Sequence, residues 1–303
     1  MTFEVTILGC GAAAPTTKHN PTAQVVNMHD KLFLIDCGEG TQMQMRKYKI
    51  RFQRINHIFI SHLHGDHYLG LLGFISSMHL LGRKTKLHIY GPADLKAIID
   101  LNLKASSTFL DYDIDFHATD VKNRQKIYED KSLEVYSFPL KHRVDCCGFI
   151  FWEKQRKPKV EKDIIERYNL RPSQIIQLKR GEDIVLDDGS VLPFSEACTP
   201  AAPPKSYAYC SDTAYSETVI ENVQGATLLY HESTFLNTEL ERAKATFHST
   251  ATQAATVALK ANAKRLVLGH FSARYTEEHD FITEASAIFP NVELASEGLT
   301  FYI

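Results

Sequence analysis

The chain has 303 residues, 44% of them apolar, enough to close a sizeable core in one large domain or two moderate ones. With 34 basic against 36 acidic side chains its formal charge is −2, so no global basic field draws it onto nucleic acid, and any such contact needs a local patch. No apolar run reaches the roughly 18 residues of a membrane span, and the six cysteines include no C-x-x-C pair. The expectation is a soluble, cytoplasmic protein with reduced thiols.

The first segment reads as a strand over 3–9, without a charged leader, running into a Gly/Ala loop. Strands over 23–28 and 31–36 follow, parted by the turn signal His29-Asp30. A helix is predicted from Glu39 to Tyr48, a strand over 56–61, a helix-like stretch from Tyr68 to Leu80 and a strand from Leu87 to Tyr90. Apolar spacing at Leu95, Ile98 and Ile99 predicts a helix over 94–103. Further strands are predicted over 112–117, 133–138, 147–152, 206–211, 227–230, 265–269 and 292–295, with helices near 216–221 and 249–261. Ser249 or Thr250 would cap the last helix. Alternating strands and helices give an α/β protein without an internal repeat.

Just after the apolar Ile58-Phe59-Ile60 stands His62-Leu63-His64-Gly65-Asp66-His67. In extended backbone His62 and His64 point to one side, because side chains alternate with period two. Asp66 and His67, at the turn into a helix, can point elsewhere, which suits two adjacent metal ions better than one. Six residues cannot complete two coordination shells. Three further donors follow apparent strand ends: His142 after Ser137–Lys141, Asp212 after Tyr207–Ser211, and His270 after Leu266–Gly269. The alternatives are a core histidine for His142 and a helix cap for Asp212.

One segment carries charge of its own. Between residues 154 and 180, nine basic residues (Lys154, Arg156, Lys157, Lys159, Lys162, Arg167, Arg171, Lys179, Arg180) face three acidic ones (Glu161, Asp163, Glu166), a local excess of six. It reads either as a solvated surface or as an arm that binds phosphates through clustered Lys and Arg.

Taken together, Ile7–Pro15, Leu34-Ile35-Asp36-Cys37-Gly38-Glu39-Gly40-Thr41-Gln42, His62–His67, His231-Glu232-Ser233-Thr234-Phe235, Phe247-His248-Ser249-Thr250-Ala251 and His270-Phe271-Ser272-Ala273-Arg274-Tyr275 resemble the motifs of the ribonuclease Z family, within the metallo-β-lactamase superfamily, over nearly the whole length. The resemblance implies a four-layer αββα sandwich forming a single domain over 1–303, with a protruding basic arm inserted at 153–183. It implies two Zn²⁺ per subunit, the first held by His62, His64 and His142, the second by Asp66, His67 and His270, with Asp212 bridging both and Asp36 behind them orienting a ligand histidine. The implied activity is removal of the 3′ trailer from precursor tRNA by a homodimer, one subunit's arm gripping RNA that the other cuts, with no organic cofactor. Two departures stand out. The loop after the first strand often reads Pro-x-(Lys/Arg)-x-Arg-Asn in the family, where it senses the acceptor end; here Pro15-Thr16-Thr17-Lys18-His19-Asn20 places Thr17 and His19 at the two basic positions. The arm also lacks the usual Gly/Pro-rich tip.

Phosphodiester hydrolysis needs a hydroxide, a way to spread charge in the transition state and a proton for the leaving oxygen. Asp66 would take a proton from the water, and His248, its basicity raised by Glu232, would supply the one for the leaving group. Ordinary surface or cap duty is the alternative for Glu232 and His248. A small-molecule hydrolase of thioesters, lactones or phosphodiesters is the first rival reading. A silent RNA-binding subunit is the second, although it would be expected to have eroded ligands, and here every ligand position is filled.

Overall fold

The computed structural model describes residues 2–303. Strands β1 (Phe3–Gly9), β2 (Ala23–Met28) and β3 (Lys31–Ile35) form an antiparallel meander. Helices α1 (Thr41–Lys47), α2 (Gly65–Leu80) and α3 (Asp94–Ala105) alternate with β4 (Ile55–Phe59), β5 (Leu87–Gly91) and β6 (Ile114–Ala118), which extend the sheet in parallel. A second sheet opens with β7 (Gln125–Glu129), β8 (Leu133–Pro139) and β9 (Cys147–Glu153).

An insertion then carries β10 (Lys159–Val160), α4 (Lys162–Arg167), α5 (Pro172–Leu178), β11 (Ile184–Val185), β12 (Val191–Leu192), α6 (Phe194–Ala197) and β13 (Cys198–Thr199). After it come β14 (Ser206–Cys210), α7 (Glu217–Asn222), β15 (Leu228–Glu232), α8 (Leu240–Thr246), α9 (Ala251–Lys260), β16 (Leu266–Gly269), α10 (His279–Ser286), β17 (Val292–Leu294) and β18 (Thr300–Tyr302). The first sheet runs β18-β1-β2-β3-β4-β5-β6 and the second β17-β16-β15-β14-β9-β8-β7.

The chain divides into two compact units. The larger comprises the chain up to Tyr128, Val135–Phe151 and Ser206–Ile303; the smaller comprises Glu129–Glu134 and Trp152–Lys205. In the larger, the inner faces of the two sheets meet through aromatic rings: Phe33 against Phe151 with centroids 5.5 Å apart, and Phe59 against Phe149 at 5.4 Å. Outside the first sheet, Met45, Leu71, Phe74, Ile75, Met78, Leu95 and Ile99 of α1–α3 pack on Leu34, Ile58, Leu87 and Ile89. Outside the second, α9 buries Ala251, Ala254, Ala255, Val257 and Ala258, small side chains that let it lie close to β15 and β16, while α10 covers β17. These are the four layers of an αββα sandwich.

The smaller unit contains the segment 153–183 and closes on its own apolar cluster of Val160, Leu170, Leu178, Ile184, Leu192 and Ala197. Its charge differs from that of the basic run alone. Counted whole, it holds eleven Lys and Arg against twelve Asp and Glu, so the local excess is offset within the unit.

Several boundaries move for reasons of hydrogen bonding. Helix α1 starts only at Thr41, because Gly40 turns left-handed at φ 82°. β4 ends at Phe59: the Ser61 N–H bonds the Asp36 carboxylate (2.8 Å) instead of a strand partner, leaving 60–64 as a loop. Helix α2 begins at Gly65, three residues before the predicted stretch, which puts Asp66 and His67 in its first turn. Thr250 caps α9, its hydroxyl accepting from Gln253 N–H (3.3 Å) while Gln253 Oε1 accepts from Thr250 N–H (3.1 Å); Ser249 instead donates to Thr213 O. Helices α8 and α10 and the short strands β7 and β18 fall outside the predicted elements, since they are too brief to show a period.

Candidate active site

Parallel strands deliver their loops to one edge, and the site lies there. The loop after β4 and the first turn of α2 bring His62, His64, Asp66 and His67; the loop after β8 brings His142; β14 leads to Asp212, β15 ends on Glu232 and β16 leads to His270. Asp36, just past β3, and His270 both take left-handed backbone, at φ 53° and 61°. Such strain persists where contacts over-determine it. The Asp36 carboxylate accepts from Ser61 N–H (2.8 Å), Ser61 Oγ–H (2.9 Å), Tyr209 O–H (2.6 Å) and His67 Nδ1–H (2.7 Å).

The outer ring nitrogens are anchored, so the inner ones converge. Nδ1 of His62 faces Ser61 Oγ (3.0 Å), Nδ1 of His142 donates to Phe247 O (3.0 Å) and Nδ1 of His270 meets Thr234 Oγ1 (3.0 Å). Donors around one tetrahedral zinc, bound at about 2.0–2.1 Å, stand about 3.3 Å from one another. In one cluster His64 Nδ1 lies 3.1 Å from His62 Nε2 and 3.2 Å from His142 Nε2, and Asp212 Oδ2 is 3.5 Å and 3.7 Å from the same two Nε2 atoms. In the other, Asp66 Oδ2 is 3.5 Å from His67 Nε2 and 3.4 Å from His270 Nε2, and Asp212 Oδ1 is 3.3 Å and 3.2 Å from them. Asp212 therefore turns one oxygen to each cluster. His67 Nε2 and Asp212 Oδ1 are buried atoms 3.3 Å apart whose polar valences are otherwise unsatisfied, an arrangement that suits a cation between them. The residues fit metal ions.

The electrostatics suit most of the donor set. At His67 burial works to lower the ring, but the carboxylates of Asp212, Asp66 and Asp36 hold it well above its ordinary value, so a metal there must displace its proton. Burial, then the neighbouring His62 and His142 rings, push the His64 imidazole down to about 4, so it is neutral and able to ligate. Burial works to raise Asp66 and Asp212, but the surrounding imidazoles hold both well below the usual carboxylate range. Ala13 N–H also fixes Asp66, donating to Oδ2 at 2.7 Å.

Beside this centre lies a second pair. His248 Nδ1 is 2.8 Å from Oε1 of the fully buried Glu232, which also accepts from Thr213 N–H (2.9 Å), Thr234 N–H (3.0 Å) and Thr234 Oγ1–H (2.8 Å). Burial lowers the proton affinity of His248, yet the charge and hydrogen bond of Glu232 overcome it and raise the ring to about 9. Its Nε2 is 4.0 Å from Asp212 Oδ2. Both clusters open into a cleft of about 560 Å³, whose lining includes Asp66, Asp212, His248 and three arginines, Arg143, Arg242 and Arg274.

Arg143 and Arg242 escape a motif-based reading, the first because it merely adjoins His142, the second because it rides on α8. Ser61 and Tyr209 escape it too, as partners that only folding assembles, while Ala13 and Thr234 stand inside the motifs but gain their contacts only in the fold. The loop at 15–20 is pinned rather than open: His19 bonds Glu278 (2.7 Å) and Glu297 (3.1 Å), and Lys18 pairs with Glu278 (2.7 Å). Of the nine basic residues at 154–180, Lys154 pairs with Glu129, Arg156 with Glu153 (2.8 Å), Lys159 with Glu161 (3.1 Å), Lys162 with Glu166 (3.5 Å) and Arg171 with Asp187 (2.9 Å), while Arg167 lies over the Tyr168 ring. Lys157, Lys179 and Arg180 complete the set.

An αββα sandwich with two metal-ready clusters at one edge defines a hydrolase of the metallo-β-lactamase fold. A metallo-β-lactamase fold protein of Bacillus subtilis, YhfI, superposes with a TM-score of 0.70 at 18% identity, over 100% of both chains. Human tRNase Z, short form, superposes with a TM-score of 0.73 at 28% identity over 98% of each chain, and a ribonuclease Z of Bacteroides fragilis is 49% identical over 98% of both. Residues 3–191 also match the family described as "Anti-Pycsar protein Apyc1", a stretch that ends before Asp212, Glu232, His248 and His270. The chain belongs to the ribonuclease Z family.

Proposed function

We propose that this protein is an endoribonuclease that removes the 3′ trailer from precursor tRNA by phosphodiester hydrolysis, leaving a 3′-OH on the tRNA. The observation that carries the reading is the His248–Glu232 pair, an imidazole held on a buried carboxylate at the rim of a metal-ready centre. His62, His64, His142 and Asp212 would hold one zinc ion, and Asp66, His67, His270 and Asp212 a second. Bound there, the pair would supply Lewis acidity that makes water a hydroxide near neutrality and draws charge from the phosphate.

The chain's own groups do the rest. Asp36 fixes the His67 ring, and Ala13 N–H holds one oxygen of Asp66, the group that would take a proton from water. Arg143, Arg242 and Arg274 line the cleft where phosphates would lie. His248 would pass its Nε2 proton to the departing O3′, and Glu232 steadies the ring before and after. In the smaller unit, Lys157, Arg167, Lys179 and Arg180 are the best candidates for RNA phosphates, because the other basic residues of the run have carboxylate partners. Action as a homodimer in the cytoplasm completes the proposal; among the described residues no helix is long and apolar enough to cross a membrane.

A cleft of this size also takes small ligands, which keeps hydrolysis of a small ester or phosphodiester as the second reading. Incubation with a trailer-bearing tRNA precursor, with and without chelator, separates the two. Chelator-sensitive release of an intact trailer and a 3′-OH end is expected. Cleavage that survives chelation, or turnover of small esters alone, would overturn the proposal, and light scattering of the pure protein tests the dimer.

A further inference from the structure

We propose that His88, Asp115 and His117 form a divalent-cation site of their own, apart from the active site. None of the three belongs to the clusters described above or lines the cleft. Asp115 and His117 lie two residues apart on β6 and so share a face, and β5 sets His88 directly opposite Asp115.

The donor atoms converge on the same scale as in the active site. His88 Nδ1 is 3.2 Å from His117 Nε2 and 3.5 Å from Asp115 Oδ2, and His117 Nε2 is 3.7 Å from Asp115 Oδ1. Separations near 3.3 Å are those of donors sharing one tetrahedral ion. In the absence of an ion two imidazole nitrogens would share a single proton, with the carboxylate beside them. The rings are also held in place before any ion arrives. His57 stacks on His88 (4.8 Å, 14°), Tyr90 on His117 (4.5 Å, 13°), and the two ligand rings lie nearly parallel (5.5 Å, 20°). Two imidazoles and one carboxylate are a donor set for zinc or cobalt rather than for calcium or magnesium. Lys86 Nζ, 3.7 Å from Asp115 Oδ2, is the one cation that competes for the carboxylate among the described residues.

The place in the fold gives the ion a purpose. β6 is the edge strand of the first sheet, hydrogen-bonded on one side only, and an ion shared by β5 and β6 would clip that edge to its neighbour. The three side chains are partly exposed, so the remaining coordination position is open to water and the ion is exchangeable.

Equilibrium dialysis of the metal-loaded protein against Co²⁺, with metal counted by mass spectrometry, tests the site. Wild type should hold one equivalent more than His117→Ala and than the isosteric Asp115→Asn, and only wild type should melt higher when Co²⁺ is added. RNA cleavage should be the same in all three, and circular dichroism confirms that the variants fold. Equal metal content in wild type and either variant overturns the proposal. So does an equivalent lost together with cleavage, because that ion would then belong to the active site.

Discussion

Replacing His248 with alanine separates two roles that the geometry leaves in competition. Asp212, His248 and His270 converge closely enough to hold an ion, so the ring could be a ligand; beside Glu232 it could be a proton donor. Glu232 favours the donor. Against burial, Glu232 raises the ring to about 9, so in the ion-free site it holds its proton near neutrality, which weighs toward a proton donor. Removing a general acid costs ~10²–10⁴-fold in rate, about 3–5 kcal/mol of barrier. The fold should survive. Glu232 keeps its bonds from Thr213 and Thr234, and losing the fourth costs about 1–3 kcal/mol of a stability of roughly 5–15. Single-turnover cleavage of a trailer-bearing precursor, metal analysis, and turnover of an aryl phosphodiester form the assay. His248→Ala should keep its metal and lose activity on RNA, yet lose little on the aryl ester, whose leaving group departs without a proton. His64→Ala should lose metal and both activities together. If His248→Ala loses metal, or slows both substrates equally, the acid assignment fails.

Three further outcomes follow from the geometry. The hydrogen bond His19 donates to the Glu297 carboxylate raises its pKa, burial works against it, and Glu278 adds to the rise. A folded value above the unfolded one of about 6.5 makes this contribution complete below that pH and drains it as pH climbs through the folded value; the melting-temperature gap between wild type and His19→Gln should narrow toward alkaline pH, and a constant gap would refute the pairing. In Gly70→Ala the added Cβ would lie 2.1 Å from Gly38 O, backbone that cannot swing away, so α2 must shift with Asp66 and His67 in its first turn. Denaturant unfolding should show a loss of about 1–3 kcal/mol, with weaker metal retention; a silent Gly70→Ala would mean the helix has slack. Lys179→Glu with Arg180→Glu should weaken precursor binding and lower the log–log salt slope by roughly 1–2, leaving cleavage at saturating RNA unchanged, whereas an unaltered slope would remove these residues from the RNA contact.

Much of the site can be read from the chain because its donors sit where local rules put them. A spacing of two still brings His62 and His64 together, although residues 60–64 are a loop rather than strand, and short apolar runs mark the strands whose carboxyl ends lead to His142, Asp212 and His270. Reading the charge of the inserted segment went less far. Lys154, Arg156 and Arg171 look basic in a window of 27 residues, but folding returns Glu129, Glu153 and Asp187 to them from its edges and beyond.

Residue identity and spacing were thus enough to determine the donor types, the strand ends that carry them and the family resemblance, because each depends on neighbours a few positions apart. Only the packed sheets decided which donors meet. Asp212 faces His62 and His67 across about 150 residues, Asp66 reaches His270 across 204, and Glu232 finds His248 only because β15 and the loop before α9 end at the same edge. A donor's direction is local, whereas the distance between two donors belongs to the whole core that holds them.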